Sequence, residues 1–270
     1  MISPLLMAGN SHWNDYHRRW ARIKPPLRPD ADVVAAFQSA IAGHTDRVLL
    51  HGVTRELADI GAHVTAIDRN ASMITNIWPG DTESRSAHCG DWLALPFEQD
   101  EFTAAIGDGS LSAIQYPADY RTLFAQLARV LKSGGVFACR LFLTPDEIES
   151  VEEVKTLALA DKIASFHAFK WQLAMAMVQE ARKPNIAVAA ILDRFDMLFP
   201  DRAALSTATG WSNVDIETID VYKNSPDVYS FPMLTQLRET IPETFRNVRL
   251  VQAGAYPLAE RCPLIVMERV

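Results

Sequence analysis

From Val48 onward the chain alternates short apolar runs with longer stretches in which apolar residues recur at helical spacing. Side chains alternate across a strand and recur about every 3.6 residues around a helix, so the two patterns in turn predict βαβ units and a mostly parallel sheet. Strands are expected at Arg47 to His51, His63 to Ile67, Ser86 to Cys89, Phe102 to Ile106 and Gly135 to Phe142. Between the last two, Asp119 to Leu131 sets Leu123, Leu127, Val130 and Leu131 on one helical stripe, and Ser133, Gly134 and Gly135 end it in a tight turn. The tail differs in kind. Val248 to Ala255 and Pro263 to Glu268 are extended segments joined by a link containing Pro257, which predicts an antiparallel pair closing the sheet edge.

Two segments fall outside this alternation. Trp13 to Pro29 is dense in aromatic and basic residues and ends in Pro25, Pro26 and Pro29, which reads as a helix followed by an extended strap. Pro145 to Thr244 is too long for a simple crossover and largely helical in pattern, so it forms a cap or insertion. The expected division is a strap over residues 1–30, a core over 31–145 with 245–270, and a cap over 146–244.

Composition narrows the chemistry. A chain of 270 residues, 49% apolar and 22% charged, has material for one large core. Its formal charge of -7 offers no basic field to a phosphate backbone, so a small-molecule partner is expected and nucleic acid is not. Cys89, Cys139 and Cys262 lie far apart, without C-x-x-C spacing, which suits a reduced, cytoplasmic protein. The seven histidines form no H-x-x-x-H or H-E-x-x-H pair, so no metal is expected. Met1 to Asn10 lacks the basic start and cleavage site of a signal peptide, and no stretch approaches the roughly 18 apolar residues of a membrane span.

The first βα turn reads Val48-Leu49-Leu50-His51-Gly52-Val53-Thr54-Arg55-Glu56-Leu57, and the next strand runs from Gly61 through His63 to Asp68. A glycine at a strand's carboxyl end lets a ligand approach the backbone closely, and an acid closing the next strand accepts hydrogen bonds from two ribose hydroxyls. That pairing suits a nucleoside without saying which one; a turn glycine and a capping aspartate would look the same. Gly90-Asp91-Trp92 follows the third strand, where an acid can meet the adenine amino group while a ring stacks on the base. Ile106-Gly107-Asp108-Gly109-Ser110 ends the fourth strand, and Leu131-Lys132-Ser133-Gly134-Gly135 precedes the fifth.

This order of motifs resembles the class I S-adenosylmethionine (SAM) dependent methyltransferases, from about Arg47 to Phe142 and again in the final hairpin. The resemblance implies a Rossmann-like α/β fold with a mostly parallel sheet, an antiparallel C-terminal hairpin and a helical insertion. It implies SAM as cofactor, with Gly52 at the methionine part, Asp68 and the adjoining Arg69 at the ribose, and Asp91 and Trp92 at adenine. The first loop departs from the family. Its usual G-x-G-x-G is here Gly52-Val53-Thr54-Arg55-Glu56, and the acid usual inside the first strand is replaced by Leu50. The interval from Gly52 to Asp68 is short for the family, which predicts a short first helix. Either Thr54 and Glu56 bond the methionyl amino group, or the chain is a non-catalytic nucleoside-binding or regulatory protein. An NAD-dependent oxidoreductase is the remaining alternative, against which stand the missing second glycine and the lack of a Tyr-x-x-x-Lys pair.

Methyl transfer needs alignment and exclusion of water more than any fixed motif. Asp108 and Ser110 lie where the resemblance puts the sulfonium, although Asp108 serves equally as a turn cap. In the cap, His167, Lys170 and Trp171 share one helical face, with His167 a candidate base and Lys170 a candidate anchor, or the two a solvated edge beside a buried Trp171. In the strap, Trp13, Tyr16, His17 and Trp20 form one aromatic stripe, which is core or a lid over the sulfonium. Arg28 could reach the methionyl carboxylate, and Tyr229 could line the acceptor site.

Overall fold

Val48, Leu49 and Leu50 are fully buried, so the strand that carries them has both faces covered and lies inside the sheet. The computed structural model describes residues 11–270; the expectation for Met1 to Asn10 lies outside the described residues. The strands are β1 (Arg47–His51), β2 (His63–Asp68), β3 (Arg85–Cys89), β4 (Phe102–Asp108), β5 (Leu131–Arg140), β6 (Asn185–Ala187), β7 (Val228–Ser230), β8 (Phe245–Val251) and β9 (Leu264–Arg269). Seven of them form one sheet in the order β3-β2-β1-β4-β5-β9-β8. The first five are parallel, β9 runs antiparallel to β5, and β8 antiparallel to β9. The fold is the expected Rossmann-like α/β sheet with an antiparallel C-terminal hairpin.

The helices are α1 (Trp13–Tyr16), α2 (Ala31–Ala40), α3 (Ala71–Ile77), α4 (Ala118–Val130), α5 (Val151–Leu159), α6 (Phe166–Ala181), α7 (Val188–Leu198), α8 (Arg202–Thr209), α9 (Asn213–Ile216) and α10 (Leu234–Arg238). On α4, Tyr120, Leu123, Phe124, Leu127 and Val130 make the buried stripe and join Leu49, Ala105 and Phe137 on one face of the sheet. Beyond Val130 the chain passes directly into β5. The pairing shifts between Phe102 opposite Leu131 and Ala104 opposite Val136, so the glycine segment 132–135 is an irregularity within the strand and not the turn expected before it.

The other face is covered by Val33 and Phe37 of α2, Met73 and Ile77 of α3, and Tyr16 and Trp20 from the first segment. Leu50 belongs to this cluster and is fully buried. An acid in its place would lack a partner and cost several kcal/mol on burial. The connection from β1 to β2 is as short as the sequence spacing predicts: a single 3-10 turn, Arg55–Leu57, replaces a helix.

Residues 11–22 are one turn of α1 continued as a 3-10 turn, His17–Arg22, so the expected helix is shorter and tighter than an α-helix throughout. After β5 comes a third apolar cluster built around α6, on which every residue from Phe166 to Ala176 is buried. A helix apolar on all sides belongs at the centre of a layer, and α5, α7 and Trp211 surround it. His167 and Lys170 are therefore interior groups and not a solvated edge. A two-stranded antiparallel ribbon, β6 with β7, accompanies these helices.

Candidate functional site

In the sheet order the chain moves out from β1 in one direction to β2 and in the other to β4, and the crevice outside those carboxyl ends is where such sheets bind ligands. A cavity of about 1090 Å³ opens there. Its floor holds His51, Gly52, Asp68, Gly90, Asp91, Trp92 and Asp108; Trp13, Tyr16 and Trp20 roof it, and Trp171, Asp227 and Tyr229 wall its far side.

Gly52 has φ +87°, in the left-handed region, and its N–H donates to the Ile67 carbonyl at 2.8 Å. A Cβ at this position would lie 3.8 Å from both Asp68 Oδ2 and Trp92 Cζ2, so the glycine keeps the space between them clear. Asp68 Oδ1 accepts the backbone N–H of Asn70 at 2.8 Å. Burial pushes its carboxyl up to about 6, against the pull of that bond and of Arg69. Hydroxyl donors from a ligand would favour the ionised form. We therefore expect affinity for a ribose-containing ligand to be full above about pH 6 and to fall by up to about tenfold per pH unit below it, as measured by calorimetry across pH. The sign for the unliganded fold is opposite: a carboxyl whose pKa is raised on folding adds stability as pH falls through about 6. A pH-independent affinity would show that Asp68 does not meet the ligand.

Asp91 Oδ1 caps the turn Trp92–Ala94 by accepting the Leu93 N–H at 2.9 Å. The Trp92 indole N–H donates to the Ile67 carbonyl at 2.6 Å, which fixes its ring over the Gly52 end of the floor. Arg69 reaches toward Asp227 at 3.8 Å. Thr54 lines the cavity. Glu56 does not: its Oε1 is held at 2.6 Å by Arg28, whose Nη1 also donates to the Trp20 carbonyl at 3.0 Å. The two residues expected at the methionine end thus grip each other beside the cavity, where they fasten the strap to the first loop.

Asp108 lines the cavity with both oxygens engaged, Oδ1 by Arg140 Nε at 2.5 Å and Oδ2 by Arg140 Nη2 at 3.0 Å. Nη1 of the same guanidinium donates to the Tyr256 hydroxyl at 2.8 Å. Burial works to lower the Arg140 pKa, but the Asp108 carboxylate outweighs it, and the group stays charged. Tyr16 and Trp20 are buried in the roof, whereas His17 turns away to Ser72, with Nδ1 3.1 Å from its hydroxyl. His167 donates from Nε2 to the Arg22 carbonyl at 3.2 Å, and burial lowers its pKa to about 4. Lys170, lowered by burial to about 7, donates to Thr218 Oγ1 at 3.2 Å. Neither residue lines the cavity; Trp171 and Tyr229 do.

Three residues at the site carry no sign of their role in local sequence: His51 and Asp227, which line the cavity, and His12, which lies against it. His51 closes β1 fully buried, and neither ring nitrogen has a partner among the described residues. His12 and Asp227 are joined through Nδ1 and Oδ2 at 2.8 Å across 215 residues of chain, and Tyr229 completes the set through its hydroxyl, 2.7 Å from His12 Nε2. The indole nitrogens of Trp20 and Trp171 also lack partners. Buried polar atoms without partners are rare; of the described residues that have them, Trp20, His51 and Trp171 line this cavity, and Glu56, His167 and Tyr222 do not.

A doubly covered, mostly parallel sheet with Gly52, Asp68 and Asp91 lining a cavity along its carboxyl edge is a Rossmann-like fold. Residues 51–139 match the sequence model of the methyltransferase domain family. That segment, from the end of β1 into β5, is what the chain shares with that family. No curated protein matches the sequence at a significant level. Among solved structures, a provisional Zn-dependent alcohol dehydrogenase from Rhodobacter sphaeroides is 13% identical, covers 97% of this chain and 100% of its own, and superposes with a TM-score of 0.58. The PH0226 protein of Pyrococcus horikoshii is 14% identical, with 97% and 100% covered and a TM-score of 0.55. A candidate exported protein of Bordetella parapertussis is 15% identical, with 99% and 83% covered and a TM-score of 0.52. At these identities the likeness is one of fold. Among the described residues no cluster of three His, Cys, Asp or Glu side chains could hold a metal ion, and no helix is long and apolar enough to cross a membrane.

Proposed function

We propose that the protein transfers a methyl group from SAM to a small-molecule acceptor by direct displacement. The observation that carries this reading is the single cavity shared by the strand ends, the first segment and the cap. Cofactor and acceptor would meet inside it, with an acceptor small enough to be enclosed.

Asp68, with Arg69 beside it, would hold the ribose; Asp91 and Trp92 the adenine; Gly52 and Thr54 the methionine end. Glu56 would act there only indirectly, through its pairing with Arg28. When bound, SAM supplies an electrophilic methyl group on a sulfonium. The chain's own contribution is alignment and exclusion of water, with Tyr16 and Trp20 offering aromatic faces to a cation. In this reading the strap, described over residues 11–30, is the lid, 31–145 with 245–270 the cofactor core, and 146–244 the acceptor cap. His167 then ties the cap to the lid through the Arg22 carbonyl, His17 ties the lid to the core through Ser72, and Lys170 bonds Thr218 within the cap. The formal charge of -7 argues against nucleic acid, and three free thiols at Cys89, Cys139 and Cys262 fit a reducing, cytoplasmic setting.

The test is release of S-adenosylhomocysteine (SAH) when protein and SAM meet the low-mass fraction of a cell extract, set beside the macromolecular fraction. Release with the low-mass fraction alone is the expected result. Release only with macromolecules would overturn the small-molecule assignment.

A further inference from the structure

The geometry points to Tyr229 as the catalytic base of this reaction, taking the proton of a phenol-type hydroxyl on the acceptor and passing its own to His12, which Asp227 positions. The assignment rests on the methyl-transfer reading above.

The direction of the hydrogen bonds follows from what each group is able to do. The Asp227 carboxylate is acceptor-only, and its Oδ2 takes the Ser11 hydroxyl at 2.7 Å, the Ser225 hydroxyl at 3.0 Å and the backbone N–H of His12 at 3.3 Å. His12 Nδ1, 2.8 Å from the same oxygen, must therefore carry a proton and donate it. In the neutral ring Nε2 is then bare, and the Tyr229 hydroxyl, 2.7 Å away, donates to it. One lone pair of the Tyr229 oxygen faces the buried Tyr222 hydroxyl, and the other remains for a donor in the cavity that Tyr229 lines.

The surroundings keep His12 neutral until it is needed. Burial lowers its pKa despite the Asp227 carboxylate, and the positive groups facing it, Lys170 and Arg69, act in the same direction as burial. The rings of Trp13, Tyr16, Tyr222 and Tyr229 enclose it, with centroids 4.5 to 6.0 Å away.

The acceptor's chemistry follows from the groups around Tyr229. The ring of Trp171 stands edge-on to Tyr229 at 5.1 Å, lines the same cavity, and has an indole N–H with no partner among the described residues. A hydroxyl both donates and accepts, so it satisfies the Tyr229 oxygen and the Trp171 N–H together, which an ammonium group, lacking a lone pair, does not. Arg69 is the one cationic side chain among the described lining residues, against five aspartates, so an anionic acceptor is disfavoured. Phe142, Trp13 and Trp171 offer ring faces to an aromatic body.

The step balances within the cavity. The acceptor proton moves to the Tyr229 oxygen as the Tyr229 proton moves to His12 Nε2. The acceptor oxygen's electron pair forms the bond to the methyl carbon, and the pair of the breaking S–C bond stays on sulfur. The products are a methyl ether, SAH, and an imidazolium beside the Asp227 carboxylate that returns its proton to solvent.

The test uses para-nitrophenol, whose ionised form absorbs in the visible, titrated against the SAH complex across pH, with SAH affinity measured separately. In the unaltered protein the ionisation constant of the bound probe is expected to rise at least about tenfold over that in water. Tyr229→Phe should abolish that rise while leaving SAH affinity within about twofold, which reports folding, and Asp227→Asn, which keeps Tyr229 in place, should abolish it too. A probe that binds with its solution ionisation constant, one that does not bind, or one whose shift survives both substitutions would overturn the assignment. Loss of SAH binding in the unaltered protein would instead overturn the methyltransferase reading on which it rests.

Discussion

Replacing Arg140 with methionine is expected to cost about 3–5 kcal/mol of folding stability, read as a fall in Tm of roughly 10 °C. The size follows from what is left behind. Arg140 is fully buried, its guanidinium grips both oxygens of Asp108, and the rings of Phe142 and Tyr256 each stand 5.5 Å from it. Removing the cation strands a carboxylate in an apolar environment, which costs far more than the pair itself contributes. The double variant Arg140→Met with Asp108→Asn should recover most of the loss, because it leaves no buried charge. A single variant within about 1 kcal/mol of the parent would show that Asp108 is hydrated, and the view of this pair as a sealed wall of the cavity would fail.

Asp68→Ala should weaken SAH binding by about 3 kcal/mol, more than a hundredfold, since each hydrogen bond to a charged group is worth about 1.5–3 kcal/mol and a ribose offers two. The same substitution should leave thermal stability equal or higher, because the carboxyl that is lost is one whose burial has already pushed it up to about 6. Weak binding with an intact fold is thus the signature, and calorimetry with a melting curve reads both. Unchanged SAH affinity would move the ribose elsewhere.

Much of the sheet was legible because its signal is local. Strands such as β1 and β4 are buried on both faces and appear as unbroken apolar runs, and the short first connection followed directly from the interval between Gly52 and Asp68. Asp68 and Asp91 were legible for the same reason: each sits at a strand end, whose position the pattern gives. What escaped depends on contacts far apart in sequence. Helix α2 is capped by Asp30, whose Oδ1 accepts the Val33 N–H at 3.0 Å, but the proline cluster just before it masks the start in a pattern of periods. Glu56 reads as a ligand group until Arg28, 28 positions away, is seen to occupy it. His12 and Asp227 carry no mark of partnership, since nothing in a pattern of periods two and 3.6 relates residues on opposite sides of a cavity. Of the two readings of His167 and Lys170, the solvated edge fails because a helix buried on all sides looks, over a few residues, like a polar face with one tryptophan.

The position of β9 has a consequence for the chain as it is being made. β8 precedes it in sequence, yet β8 has no strand partner in the described sheet except β9, which lies between it and β5. Until residues 264–269 have left the ribosome, β8 cannot attach, and the outer edge of β5 presents a row of unpaired amides and carbonyls to any strand of a neighbouring nascent chain. β9 must pair with β5 to cover that edge, and β8 attaches to β9 before or after. The interval before that pairing is the period in which this protein is most open to mispairing.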